Sequence, residues 1–200
     1  MRPLRVVVTG SECTGKTTLS LALAARFEAP YVPEFCRGYQ DARGRPLTAD
    51  DVEPIARGQI AEAEAAEALS PRLVILDTDL VSTVVYARHY YGTCPAWIGD
   101  AARARRADLY LLCVPDLPWE ADSQRDRGDR RDDMHRLFAE ALADLGVLVE
   151  TVAGRGSSRE SAAVAAVFRV LRAPLPEGAA PAVDDIVRSS GKPGRRAGQE

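Results

Sequence analysis

One stretch of this 200-residue chain has the residue types and spacing for phosphate chemistry, Gly10-Ser11-Glu12-Cys13-Thr14-Gly15-Lys16-Thr17, with Thr18 next in line. It matches the phosphate-loop pattern G-x-x-x-x-G-K-[ST] in full. The glycines permit a tight turn that aims successive backbone N–H groups at phosphate oxygens. A helix opening at Lys16 adds the partial positive charge of its N-terminus. Lys16 is placed to reach the β and γ phosphates of ATP, and the Thr17 hydroxyl to ligate Mg²⁺ beside them. From the chain's own Gly, Lys and Ser/Thr content, the pattern arises by chance in about one such chain in a thousand. Lysine occurs only at Lys16 and Lys192 among 26 Lys and Arg residues.

Other residues can serve the same chemistry. Asp77 ends an apolar run and is followed by Thr78 and Asp79. Strand-then-Asp is the pattern of a carboxylate that holds Mg²⁺, with Asp79 alternatively a helix cap. Arg125, Arg127, Arg130 and Arg131 cluster in residues 118–131. Such a segment reads as a lid whose arginines close over the phosphates and exclude water, or as a solvated charged loop. On the acceptor side stands Glu34-Phe35-Cys36-Arg37-Gly38-Tyr39. Glu34 can orient or deprotonate a hydroxyl, Arg37 can hold Glu34 or a substrate oxygen, and Tyr39 can stack on a ring. Glu34 and Arg37 read equally well as a surface ion pair. Tyr39, Trp97 and Trp119 are the aromatics considered for stacking, each as readily packing residues. There is no N-K-x-D for guanine and no L-S-G-G-Q, which disfavours a GTPase and a transporter ATPase.

The elements that must position these residues follow from pattern. Short apolar runs at Leu4–Thr9, Pro30–Pro33, Leu73–Leu76, Leu109–Val114 and Val147–Val149 predict strands. Helical patterns run from Lys16 to Phe27, Thr48 to Leu69 with Thr48 as cap, Leu80 to Tyr91, beyond Pro95, Arg131 to Leu145, and Ser157 or Ser158 to Arg172. Alternating strands and helices, with apolar rather than alternating strands, predict a parallel sheet covered on both faces. Residues 1–173 are expected to form one P-loop kinase domain. Residues 174–200, rich in Pro, Gly, Ala and charge, are expected to be a mostly disordered tail.

Composition narrows the class. A net charge of −3 argues against a general nucleic-acid binder. No apolar run is long enough for a membrane span and no signal peptide is evident. Cys13, Cys36, Cys94 and Cys113 form no CxxC pair, so neither zinc nor a disulfide framework is expected, and a reduced cytoplasm is the natural setting.

Taken in order, the phosphate loop, Glu34-Phe35-Cys36-Arg37-Gly38-Tyr39, Gly58-Gln59, Asp77-Thr78-Asp79 and Pro118-Trp119 followed by Asp122 and Arg125 resemble the ribosylnicotinamide kinase domain of the bacterial NAD-biosynthesis regulator NadR and its stand-alone relatives. The likeness covers residues 4–172. It implies a three-layer α/β P-loop kinase fold with strand order 2-3-1-4-5, and phosphorylation of nicotinamide riboside by Mg-ATP. By position, Lys16 and Thr17 hold phosphate and Mg²⁺, Glu34 or Asp79 contacts the ribose hydroxyls, and Arg125 acts from the lid. Glu34 is favoured as the base. Two departures stand out. Cys13-Thr14 replaces a pair of serines, and His89 and His135 do not form the H-x-G-H of an adenylyltransferase, so synthesis of NAD itself is not expected. Both histidines read as solvent-facing or locally bonded helix residues. The other readings are a kinase for a different nucleoside or vitamin, and a regulatory ATP-binding module.

Overall fold

The computed structural model describes residues 2–118 and 131–172. Among them the elements run β1 (Leu4–Thr9), α1 (Lys16–Phe27), β2 (Tyr31–Val32), α2 (Phe35–Arg43), α3 (Val52–Ala68), β3 (Leu73–Asp77), α4 (Leu80–Tyr91), α5 (Ala96–Ala104), β4 (Leu109–Cys113), α6 (Arg131–Leu145), β5 (Val149–Val152) and α7 (Gly156–Arg172). The strands form one sheet in the order β2-β3-β1-β4-β5, and every pairing is parallel. This is the three-layer P-loop kinase fold that the sequence implied.

The apolar strands are explained by what covers them. Side chains alternate across a strand. Val7, Val74, Leu76, Tyr110 and Leu112 therefore meet α3, α4, α5 and α6 on one face. Val6, Val8, Ile75, Leu109 and Leu111 meet Leu19 and Leu23 of α1 and Ala163 and Val167 of α7 on the other. Leu23 is fully buried, and its truncation to Ala would cost about 2–5 kcal/mol.

Two elements differ from the pattern reading. The helix α2 was not expected, because its nine residues are mostly polar and none reaches the core to mark it. The last strand lies at Val149–Val152 rather than 147–149. Gly146 ends α6 in a left-handed conformation, and Leu148 is 52% exposed in the connection. At the sheet edge β5 needs no continuous apolar run, so Glu150 and Thr151 fit within it. Thr48 does act as a cap, for a 3-10 turn at Ala49–Asp51 that leads into α3, with its N–H donating to the Asp51 carboxylate at 2.8 Å.

Register decides what the sheet presents. Val8 stands opposite Asp77, and Val32 opposite Leu76. The carboxyl ends of β1, β2 and β3 thus lie side by side, which is where open parallel sheets bind ligands.

Candidate functional site

The phosphate loop joins β1 to α1 along that edge. Gly10 has φ 133°, and a Cβ there would stand 2.8 Å from the Cys113 carbonyl oxygen of β4, so only glycine fits. Gly15 (φ 74°) and Cys13 (φ 54°) also take left-handed conformations, which turn the chain back on itself. The Ser11 carbonyl accepts from Lys16 Nζ at 2.9 Å and from Thr14 Oγ1 at 2.8 Å. Glu12 through Thr18 line a cleft of about 1130 Å³, and Gly10 and Ser11 lie outside its lining. Pockets for drug-sized ligands measure roughly 300–1,000 Å³, so there is room for a nucleotide and a second molecule.

A residue that the sequence gave no reason to single out braces this loop from behind. Arg159 of α7 is 5% exposed. Its guanidinium donates to the carbonyls of Thr14 (2.6 Å), Gly154 (2.8 Å) and Val114 (3.1 Å), and pairs with Asp116.

The metal reading of Thr17 and Asp77 has a geometric basis. Thr17 Oγ1 donates to Asp77 Oδ2 at 2.6 Å, and the Tyr31 hydroxyl to the same oxygen at 3.3 Å. Burial and then the Asp77 charge push the Tyr31 phenol up, which keeps it a donor. Asp77 Oδ1 is buried without a partner. Among the described residues no cluster of three or more His, Cys, Asp or Glu could hold a metal. A hydroxyl, one carboxylate with an unused oxygen and nearby phosphates suit Mg²⁺, which keeps much of its water and needs few protein ligands.

The opposite wall is built by α2, the loop after it, α3 and α4. Glu34 precedes α2 and lines the cleft with Cys36, Arg37, Gln40 and Asp41. Glu34 and Arg37 are 3.9 Å apart and partly exposed, a pair worth at most about 1 kcal/mol. Burial and then the Glu34 charge raise the Cys36 thiol to about 12, so it is neutral rather than a nucleophile. Beyond it, Arg45 grips the buried Asp51 with two bonds of 2.7 and 2.8 Å and holds that carboxyl far below its usual range.

Two expected site residues point elsewhere. Asp79 caps α4, accepting from the Val81 N–H at 2.9 Å and from the Tyr110 hydroxyl at 2.6 Å. It faces a separate cavity of about 30 Å³ beside Arg5 and Arg105, outside the acceptor wall. Burial, partly offset by the Tyr110 bond, raises its carboxyl to about 6. Tyr39 also lies off the cleft. Its hydroxyl donates to Asp51 at 3.0 Å, and Arg43 covers its ring at 4.9 Å.

Trp97 packs at the edge of the core under Arg57, and Trp119 and Arg125 lie outside the described residues. Arg127 and Arg130 lie outside them too, while Arg131 opens α6 and donates to the Leu117 carbonyl at 2.8 Å. His89 Nε2 and His135 Nδ1 are buried without partners, on α4 and α6. The aromatics that do line the cleft are Tyr86, Tyr90 and Tyr91 of α4. Tyr86 and Tyr90 stack at 6.0 Å and 10°. Their i, i+4 spacing after Asp77 was the available signal.

Comparison with known proteins bears on the chain's sequence and fold. The chain is 28% identical over 145 residues to the trifunctional NAD biosynthesis/regulator protein NadR of Escherichia coli (strain K12), covering 70% of this chain and 35% of that protein. A crystal structure of NadR in complex with NR superposes with TM-score 0.73 at 28% identity, covering 84% of this chain and 51% of that one. A second, of NadR with NAD and AMP-PNP, gives TM-score 0.67 at 29% identity, covering 87% and 51%. The chain thus spans about a third of the curated relative and about half of the solved ones. The resemblance to the NadR kinase domain therefore holds in both sequence and fold. Residues 5–160 match the AAA domain AAA_28, and the chain belongs to that family.

Proposed function

We propose that this chain is an ATP-dependent kinase that phosphorylates a hydroxyl of nicotinamide riboside, giving nicotinamide mononucleotide. The observation that carries the reading is that the phosphate loop and Glu34 open onto one continuous cleft. A donor phosphate on the loop and an acceptor hydroxyl at Glu34 would meet within it. The relatives supply the ligand class: NadR has been solved with NR, and with AMP-PNP in place of ATP.

In this reading the loop N–H groups and Lys16 hold the phosphates, while Thr17 and Asp77 hold Mg²⁺. Bound there, Mg²⁺ would neutralise charge developing on the phosphoryl oxygens. The acceptor oxygen forms a bond to the γ-phosphorus as the bond to the β–γ bridging oxygen breaks, and ADP leaves. Glu34 orients the acceptor hydroxyl and takes its proton, with Arg37 beside it. Arg125, which lies outside the described residues, is proposed to contribute to phosphate binding through the family likeness alone. No described helix is long and apolar enough to cross a membrane, and a cytoplasmic enzyme acting on a small molecule, without nucleic acid or membrane as partner, goes with this reading.

The test is ADP release with Mg-ATP and a panel of nucleosides including nicotinamide riboside. Acceptor-dependent turnover is expected, falling by roughly a hundredfold or more in Lys16→Ala. ADP release that ignores every acceptor would overturn the kinase reading in favour of a regulatory ATPase.

A further inference from the structure

The proposed function depends on Glu34, yet its own helix does little to fix it. None of the α2 residues is fully buried, though Phe35 and Cys36 at its start are substantially covered. What holds the segment comes from α3. Gln59 is 5% exposed, and its amide grips both backbone neighbours of Glu34. Oε1 accepts from the Phe35 N–H at 2.9 Å, and Nε2 donates to the Pro33 carbonyl at 3.4 Å. The Phe35 N–H lies in the first turn of α2, where no intrahelical acceptor exists. Gly58, one residue earlier, supplies a bare backbone surface. A Cβ there would stand 2.1 Å from Phe35 Cζ, so the ring rests directly against α3.

We infer that Gly58 and Gln59 form a clamp that sets where the Glu34 carboxylate stands in the cleft, with Gln59 a positioning residue for phosphoryl transfer. The inference deepens the proposed function and rests on its reading of Glu34. The amide suits the task because it donates and accepts at once. Glutamate would lose the donor to Pro33 and add a second negative charge near Glu34. Reacting groups tolerate little displacement, about 1 Å being enough to cost roughly a hundredfold in rate.

The experiment is a double-mutant cycle in the full chain, with nicotinamide riboside as acceptor. Gln59→Met keeps the volume and removes both bonds, and Gly58→Ala displaces Phe35. Each is expected to lower acceptor-dependent kcat roughly ten- to hundredfold while KM for ATP stays within about twofold. In a Glu34→Gln background, Gln59→Met should add almost nothing, because it acts through the carboxylate. Equal fractional losses in both backgrounds, or a parallel rise in KM for ATP, would reduce Gln59 to structural support and overturn the inference. Full turnover in Glu34→Gln alone would remove the acceptor reading first, and the clamp's catalytic role with it. A readout independent of any acceptor is amide exchange at Phe35, expected to speed up about tenfold or more in Gln59→Met. An unchanged Phe35 rate would overturn the clamp whatever the substrate is.

Discussion

The two ends of the cleft are held in different ways. At the nucleotide end the loop lies between β1 and α1, with Gly10, Ser11 and Thr14 buried and Arg159 bonded to the Thr14 carbonyl behind it. At the acceptor end no residue of α2 is fully buried, and polar tethers hold it, from Gln59 to the Phe35 N–H and from the Tyr39 hydroxyl to Asp51, which Arg45 in turn grips. On the proposed function, the difference follows from what each end would recognise. Phosphate is bound by backbone N–H groups whose positions are set by φ and ψ, so the loop is locked into the core. An acceptor is recognised by side chains, which can sit on a helix tied down at a few points.

If that contrast is right, substitutions at one end should leave the other alone. The largest effect is expected from Arg159→Ala, which leaves Asp116 and three carbonyls without their shared partner. It should lower stability by about 3 kcal/mol and weaken ATP binding, read by denaturant unfolding and KM for ATP, with KM for the acceptor unchanged. A matching rise in acceptor KM would break the contrast. Next comes Asp79, which serves neither end. Its carboxyl is raised to about 6 in the folded state, above the ordinary value near 3.9. The folded protein therefore holds that proton more tightly, and the group's stabilisation, full below about pH 4, is lost as pH rises through 6. Asp79→Asn should gain on the wild type by on the order of 2 kcal/mol between pH 4 and 7, in unfolding curves at fixed pH, with both KM values unmoved. A pH-independent difference would mean that Asp79 is not raised. The smallest effect sharpens the acceptor side. Arg45→Ala frees the loop before α3 and should raise acceptor KM about two- to fivefold and lower Tm modestly at neutral pH, because the Asp51 carboxylate loses its partner, with KM for ATP unchanged in steady-state kinetics.

How much could be read beforehand follows the same division. The phosphate loop is contiguous, and its glycines, Lys16 and Thr17 carry their geometry with them. The strands were legible because burial on both faces leaves an apolar run. The acceptor wall was not, since α2 is short and mostly polar and has no residue in the core to mark it as a helix. Along α2, Cys36, Arg37, Gln40 and Asp41 line the cleft, while the Tyr39 hydroxyl turns to Asp51 and Arg43 covers its ring. From sequence, Asp77 read as the Mg²⁺ carboxylate and Asp79 either as a helix cap or as a contact to the acceptor. Thr78 separates them with a left-handed backbone (φ 67°), and the chain turns so that Asp79 becomes a helix cap under the sheet.

From the sequence by itself came the order of the sheet through its family likeness, the phosphate loop, and Thr17 and Asp77 as separate candidates for holding Mg²⁺, because each rests on a local pattern or on the end of a buried strand. Only the tertiary structure decided that Arg159 reaches a loop 145 residues away, that Gln59 holds the flanks of Glu34, and that Tyr39 and Asp79 face elsewhere. Those outcomes depend on which helix faces meet across the sheet, and packing sets that rather than any short run of residues.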